Sequence, residues 1–341
     1  MIFQDKSVLI TGGTGSLGRN LVRSIMTGRF GNPRQVIVFS RDEDKQYAME
    51  LEWKNLKAAT DDIFYYNRDV LTFRIGDVRD YESMVRAVKE AEIIIHAAAL
   101  KQVPVGEYFP WESIKTNILG TQNIIRAILE NTNNVETVLA ISTDKACKPV
   151  NTYGMCKAIQ ERLIVEANLI CPKPRFICVR YGNVAASRGS VIPLFQEQIR
   201  NGGPVTITSK DMTRFLLSLD TAIGVVMDAI RSAEPGDIYV PNLPSISILD
   251  LAEVMIGQRQ INIEVIGIRP GEKIHETLIS EEEIPRTIKR GDYYVICPVL
   301  PKLRRVKVDK PVLTKELSSA DYCMPKKELR DFLEAGGYLN F

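Results

Sequence analysis

Five polar side chains crowd the stretch Ala140–Lys157 (AISTDKACKPVNTYGMCK): Thr143, Asp144, Lys145, Tyr153 and Lys157. A phenol four residues ahead of an amine shares one helix face with it. The amine's positive charge then lowers the phenol's pKa. Such a tyrosine can take the proton of an alcohol hydroxyl while the carbon beneath gives up a hydride, with Thr143 bonded to the same oxygen. Those three groups suffice for a dehydrogenase or an epimerase. Asp144 and Lys145 add an acid able to protonate a departing hydroxyl and a base able to remove the proton beside a ketone, which together eliminate water. The alternative is a loop ion pair of little energetic worth, followed by an ordinary amphipathic helix.

These groups need elements to hold them. Val138–Ile141 reads as the end of a buried strand and the run from Tyr153 as a helix, so the polar groups fall at the carboxyl edge of a sheet, where open α/β folds place ligands. Earlier, the strand-like Ser7–Thr11 meets the helical Leu17–Thr27 through GGTGSLG. Gly12, Gly15 and Gly18 allow a tight turn and a close backbone approach to a pyrophosphate, with Thr14, Ser16 and Leu17 between them at a helix N-terminus. The second strand, Gln35–Phe39, ends in Ser40 and Arg41, a hydroxyl and a guanidinium suited to a 2′-phosphate. This favours NADP over NAD; the alternative is that Asp42 takes the ribose and Arg41 is a surface charge. Leu71–Gly76 leads to Asp77 and Val78 at the adenine. Ala91–Ala98 leads to Ala97, Ala98 and Ala99, small enough for a dinucleotide to lie against the backbone. Helical stretches Tyr81–Glu90 and Trp111–Asn131 alternate with these strands, which predicts an α/β fold with a Rossmann-type doubly wound parallel sheet. Asn117, inside the second stretch, fixes a turn or a water near the site, or makes a structural hydrogen bond. Val135–Ser142 and Arg175–Arg180 are the fifth and sixth strands.

Beyond Tyr181-Gly182-Asn183-Val184 the alternation breaks. Ser187–Arg214 carries Pro193, Pro204, a Gly202-Gly203 pair and a polar run at 206–211, and reads as an insertion that builds a second wall. Asp220–Arg231 and Ile248–Ile256 read as helices, Asp237–Val240 as a strand, and Ile263–Ile268 leads into Arg269-Pro270-Gly271-Glu272-Lys273. The expected division is a nucleotide-binding part at 1–180 and 212–243, a smaller interleaved C-terminal substrate-binding part at 181–211 and 244–299, and a peripheral tail at 300–341 that wraps the body or a neighbouring subunit.

Composition narrows the class. The 341 residues are 45% hydrophobic and 25% charged, with a formal net charge of +2, which offers no electrostatic footprint for nucleic acid or membrane. No apolar run approaches the roughly 20 residues that span a bilayer. MIFQDKSVLITGG enters a strand pattern without a signal-peptide layout. Six cysteines lack metal-type spacing and two histidines, His96 and His275, make a histidine metal site or a serine–histidine relay a poor fit. The expectation is a cytoplasmic protein with no bound metal, with His96 a packed strand-end residue.

TGGTGSLG, AAALKQVP, STDKA, Tyr153–Lys157, RYGNV followed by SRGSVIP, MTRF and RPGEK, in this order, together resemble the extended short-chain dehydrogenase/reductases. More narrowly they resemble the soluble UDP-N-acetylglucosamine 4,6-dehydratases, including the inverting, 5-epimerising enzymes of pseudaminic acid and capsule pathways. The resemblance runs from about Ser7 to Glu276; the tail after about Val299 lies outside it. It implies a redox-neutral cycle on one NADP⁺: hydride leaves carbon 4 as Tyr153 takes the hydroxyl proton, Lys145 removes the carbon-5 proton, Asp144 protonates the hydroxyl leaving carbon 6, and hydride returns there. Some relatives carry methionine in place of Tyr153, so Asp144 and Lys145 weigh more. It further implies cofactor contacts from Lys45, Lys101, Asn117, Tyr153 and Lys157 beside the turn and strand-end residues. For the substrate it implies Asn183 and Arg214 at the diphosphate, Thr206 and Thr208 at the uracil, Arg269 and Glu272 at phosphate and ribose, Lys101 near the phosphate and sugar, and Val191 as a further substrate contact. The expected partners are UDP-N-acetylglucosamine and further copies of the chain, as a dimer or larger homo-oligomer. The expected product is UDP-2-acetamido-2,6-dideoxy-β-L-arabino-hex-4-ulose, for bacterial surface-glycan or nonulosonic acid synthesis. A retaining dehydratase, a UDP-hexose 4-epimerase and a non-catalytic NADP-binding regulator are the alternatives.

Overall fold

Five of the first six strand-length segments are near-continuous apolar runs, and a sheet covered on both faces by helices is where such runs belong. In the computed structural model, which describes residues 1–59, 70–185, 187, 189–306 and 310–340, they form one nine-stranded sheet. Its members are β1 (Ser7–Thr11), β2 (Gln35–Ser40), β3 (Leu71–Ile75), β4 (Ile93–His96), β5 (Thr137–Ile141), β6 (Arg175–Val179) and three later strands. The order 3-2-1-4-5-6 is parallel throughout. It reverses direction between β1 and β4, and a crevice opens at the strand ends at such a switch point.

The remaining elements leave this sheet and return. β7 (Asn183–Val184), β8 (Val205–Ile207) and β9 (Thr213–Leu217) lie outside it; β10 (Ile238–Pro241) returns parallel to β6. β11 (Ser245–Ser247) joins β9, and β12 (Ile263–Val265) pairs with β8. β13 (Thr277–Ile279) is followed by β14 (Thr287–Arg290) and β15 (Tyr293–Ile296), which close the large sheet antiparallel. β16 (Leu317–Ser318) pairs with β13.

Two apolar clusters result. The larger surrounds the parallel sheet. The smaller gathers Phe195, Ile207, Leu216, Leu251 and Met255 with Leu329 and Leu333 of the last helix, Lys326–Ala335. The tail is therefore not peripheral along its whole length: both leucines are fully buried. Part of the basic run KLRRVKVDK, at 307–309, lies outside the described residues, as do residues 186 and 188 between RYGNV and GSVIP.

The helix expected over Trp111–Asn131 is broken. Pro110–Ile114 and Gly120–Glu130 flank a π-helical turn at Lys115–Leu119. Asn117 sits in that turn, where its amide accepts from the Leu100 N–H and donates to the Leu100 carbonyl, both at 2.9 Å. The asparagine thus anchors the loop after β4.

Candidate active site

The opening stretch is assembled by three local devices. Thr143 begins a short 3-10 turn over Asp144–Ala146 by accepting the Lys145 N–H. Asn151 caps the helix Thr152–Ile170, accepting from the Gly154 N–H at 2.8 Å while donating to the Gly271 carbonyl at 2.7 Å. That ties the Tyr153 helix to the RPGEK turn. Behind it, the buried Arg180 guanidinium bridges Glu161 on the same helix and Glu283, at 2.6 and 2.7 Å.

A cleft of about 710 Å³ runs along the carboxyl edge of the sheet. Its floor is the glycine turn: Gly12 has φ +68°, and a Cβ there would lie 2.8 Å from the Ala98 main chain, so only glycine fits. The following helix, Ser16–Met26, has Gly15 as N-cap and no side-chain cap, the arrangement that suits an anion. Thr14, Ser16, Leu17, Ser40, Arg41, Lys45, Asp77, Val78 and Ala97–Ala99 line the same end. The Asp42 carboxylate is engaged by Lys45, through both its N–H and its ammonium, while Arg41 lies 3.8 Å from Asp77. The Ser40 hydroxyl is 2.8 Å from that of Thr14. These groups could hold a dinucleotide with a phosphorylated ribose.

At the other end stand Lys101, Thr143, Lys145, Tyr153, Lys157, Asn183, Arg269 and Glu272. Asp144 lies just behind the wall, fully buried. Its Oδ1 accepts from Thr143 at 2.8 Å and from Lys145 Nζ at 3.1 Å, and its Oδ2 has no partner. Burial pulls the Lys145 amine down, but the carboxylates of Asp144 and Glu276 outweigh it and hold its pKa above the ordinary lysine value. Loss of solvent around the Tyr153 hydroxyl pushes it up to about 12, opposed mainly by the charge of Lys145. The cation acting on the phenol is thus Lys145. Lys157 instead donates to the Ile141 carbonyl at 2.7 Å and to Gln160 at 2.6 Å, and burial lowers it to about 8.

Several expected contacts stand elsewhere. Arg214 is buried, its guanidinium donating to the carbonyls of Thr213, Lys273 and Ile274. Thr206 is bonded to Gln198 through both its hydroxyl and its N–H; it and Thr208 flank Ile207 in or beside β8, and neither they nor Val191, at the start of its helix, are among the residues that line the cleft. His96 is packed between Thr11 and Thr121.

The cleft also holds residues the sequence did not single out. Thr116, Tyr181 and Ser190 line it, and with Asn183 each carries a buried polar atom without a protein partner. Buried polar atoms rarely stay unpaired, so these are candidate ligand contacts. Tyr181 and Ser190 stand inside RYGN and SRGS, the local signal that could have raised them. Glu276, 3.1 Å from Lys145 Nζ, is the other omission. Among the described residues no group of side chains could hold a metal ion, and no helix is long and apolar enough to cross a membrane.

Comparison with known proteins agrees with this architecture. Residues 8–298 match the family described as polysaccharide biosynthesis protein. A UDP-N-acetylglucosamine 4,6-dehydratase (inverting) of Campylobacter jejuni is 41% identical over 300 residues, 87% of this chain and 84% of the relative. A UDP-glucose 4-epimerase of Rickettsia conorii is 42% identical over 300 residues, covering 86% and 84%. The solved structure of Pen from Bacillus thuringiensis superimposes with a TM-score of 0.88 at 34% identity, covering 99% of this chain and all of that one. The matched span takes in the glycine turn, the STDKA stretch, the tyrosine helix and the RPGEK turn, and the chain belongs to the polysaccharide biosynthesis protein family, within the extended short-chain dehydrogenase/reductases.

Proposed function

We propose that this chain is a dehydratase that converts UDP-N-acetylglucosamine to a UDP-4-keto-6-deoxy-N-acetylhexosamine, with NADP as resident cofactor and inversion at carbon 5. The observation that carries this reading is the Asp144–Lys145 pair, amine to carboxylate at 3.1 Å, beside Tyr153 at a dinucleotide cleft. An epimerase has no task for that pair.

The glycine turn, the uncapped helix start and the flat Ala97–Ala99 wall fit a nicotinamide dinucleotide, and Ser40, Arg41 and Lys45 fit its 2′-phosphate. The chemistry that such a cofactor supplies when bound is oxidation at carbon 4 and the matching reduction at carbon 6. Tyr153, as the phenolate that the positive charge of Lys145 and of an oxidised nicotinamide would favour, takes the carbon-4 hydroxyl proton, with Thr143 hydrogen-bonded to the same oxygen. The new ketone acidifies carbon 5, and the neutral Lys145 amine removes that proton. Asp144, protonated, gives its proton to the hydroxyl leaving carbon 6. The amine and the carboxylic acid are the form of the pair in which the shared proton sits on Asp144, one hydrogen bond away from its place on Lys145. Elimination therefore needs one proton on the pair. A proton then returns to carbon 5 from the face opposite to the one it left, and the proton that Tyr153 took balances the one that Asp144 gave to the departing water. Asn183, Thr116, Ser190, Arg269, Glu272 and Lys101 would hold the UDP-sugar.

The larger core would carry the cofactor and the smaller one the sugar nucleotide. Exposed Leu129, Met155, Ile159, Leu169 and Ile170, on the helices Gly120–Glu130 and Thr152–Ile170, favour a homo-oligomer. The product would enter surface-glycan or nonulosonic acid synthesis.

Incubation with UDP-N-acetylglucosamine and no added reductant tests the proposal. A product lighter by one water, lost in Lys145→Ala, is the expected result. An isomer of unchanged mass would instead support a UDP-hexose 4-epimerase, the activity in the Rickettsia relative's name, and unchanged substrate would sink both.

A further inference from the structure

Two carboxylates hold Lys145, and one of them comes from far along the chain. Glu276 is 1% exposed; its Oε1 lies 3.1 Å from Lys145 Nζ and its Oε2 3.6 Å from Lys273 Nζ. A buried carboxylate stays charged only when paired, and Lys273 is itself fixed by donating to the Cys147 carbonyl at 2.7 Å. The peptide of Glu276 is fixed by the C-terminal tail. Ser319, 0% exposed, donates its N–H to the Glu276 carbonyl at 2.8 Å. Its Oγ accepts the Glu276 N–H at 2.9 Å. That same Oγ lies 2.7 Å from Thr213 Oγ1, which lies 2.9 Å from His275 Nδ1. The β13–β16 ladder continues the attachment, pairing Thr277 with Ser318 and Ile279 with Leu317.

We propose that Glu276 and Ser319 are positioning residues for Lys145: the tail locks the Glu276 peptide, and the Glu276 carboxylate holds the amine opposite Asp144 and sets how tightly the pair keeps its proton. The inference rests on the reading of Lys145 as the base. The match to the family ends at residue 298, so this assigns a role in the reaction centre to a segment beyond it. Asp144, Glu276 and the Tyr153 phenol face the amine, with Arg214 and Lys101 as the cations in range. Of these, Glu276 supplies a negative charge that takes no part in the proton transfers. Its removal lets the pair lose its proton at lower pH. The basic limb of the activity profile then moves to lower pH, because a pair without a proton has none for the leaving hydroxyl.

The test uses the full chain with UDP-N-acetylglucosamine, comparing wild type, Lys145→Ala, Glu276→Gln, Glu276→Asp and Ser319→Ala. Glu276→Gln and Ser319→Ala are expected to lower kcat about tenfold with KM within about twofold, the pattern of a lost transition-state interaction. The basic limb should move to lower pH in Glu276→Gln and stay in place in Glu276→Asp. Because stability itself depends on pH, each profile is divided by the folded fraction at that pH, read by circular dichroism, and the limb of the corrected profile then separates positioning from loss of fold. Wild-type kcat and limb in both Glu276→Gln and Ser319→Ala, in an enzyme that Lys145→Ala inactivates, would overturn the inference alone. A wild type that releases no water would remove the reading of Lys145 and the inference with it.

Discussion

Gly154 stands so close to the main chain of Lys145 that a Cβ on it would lie 2.2 Å from the lysine's carbonyl oxygen. The helix that carries Tyr153 and the turn that carries Asp144 and Lys145 are therefore in direct backbone contact. The offset between phenol and amine is set by a residue with no side chain. Gly154→Ala must push the helix and the turn apart, because the obstacle is backbone and cannot rotate away. Overpacking of this kind costs about 1–3 kcal/mol. The expected outcome is a lower melting temperature and a lower kcat, measured by thermal unfolding and by product formation.

Asp144 and Lys145 should be separable by isotope. Asp144→Asn leaves the base in place and removes the acid. In deuterated water the recovered substrate should carry deuterium at carbon 5 while water loss falls by roughly 10²–10⁴, the range for a general acid. Lys145→Ala should show neither exchange nor water loss. Carbon-5 exchange in Lys145→Ala, read by proton NMR, would assign the base elsewhere.

Much of this site was legible in the sequence because its pieces are local. The apolar runs of β1, β2, β4, β5 and β6, the glycine turn and the Tyr153–Lys157 helix each follow from short-range spacing, and the cleft brings them together. What escaped depends on contacts distant in sequence. Glu276 reads as one more acidic residue after RPGEK until the fold returns it to Lys145. Ser319 reads as part of a loose tail until β16 pairs with β13. Arg214 is a diphosphate ligand by the family resemblance, yet here its guanidinium donates to three carbonyls. Lys157 looks like the partner of the phenol by helical spacing, but its side chain turns to Ile141 and Gln160.

Arg41 should decide between dinucleotides. It lines the cleft at the end of β2, and a guanidinium on a phosphate makes charge-assisted bonds worth about 1.5–3 kcal/mol. Arg41→Ala should weaken NADP binding roughly tenfold or more, by the conversion of about 1.4 kcal/mol per decade, and leave NAD binding nearly unchanged. Fluorescence titration with both cofactors reads this directly. Equal loss for both would mean that Arg41 contacts something other than the 2′-phosphate.

Lys157 carries a stability cost that depends on pH. Burial, partly offset by Cys178 and Glu161, holds it at about 8 against the usual 10.5. The folded chain therefore binds fewer protons than the unfolded chain between those values, and stability rises with pH across that window. Below pH 8 both states are protonated and the full cost, about 3 kcal/mol, is present. The stability of wild type relative to Lys157→Met should accordingly increase from pH 8 to pH 10 in cofactor-free protein, as read by urea unfolding. A flat difference would show that the amine titrates normally in the folded chain.

The Arg180 network should set the acid limit. Burial raises the Glu283 carboxyl, but the Arg180 guanidinium, its hydrogen bonds and the Ser280 N–H outweigh it and hold the pKa at about 2, below the usual 4.5. Its folded value is depressed, so the stability it contributes is complete above pH 4.5 and is lost as pH falls through that value toward 2. Arg180→Met strands Glu161 and Glu283 in the interior without their shared cation, and breaking such a pair costs about 3–5 kcal/mol. The variant should unfold at lower urea concentration at pH 7. In the variant the loss of stability between pH 4.5 and pH 2 should be smaller or reversed in sign, because protonating Glu283 then relieves a buried charge. An acid-unfolding curve parallel to that of wild type would show that Arg180 does not hold Glu283 ionised.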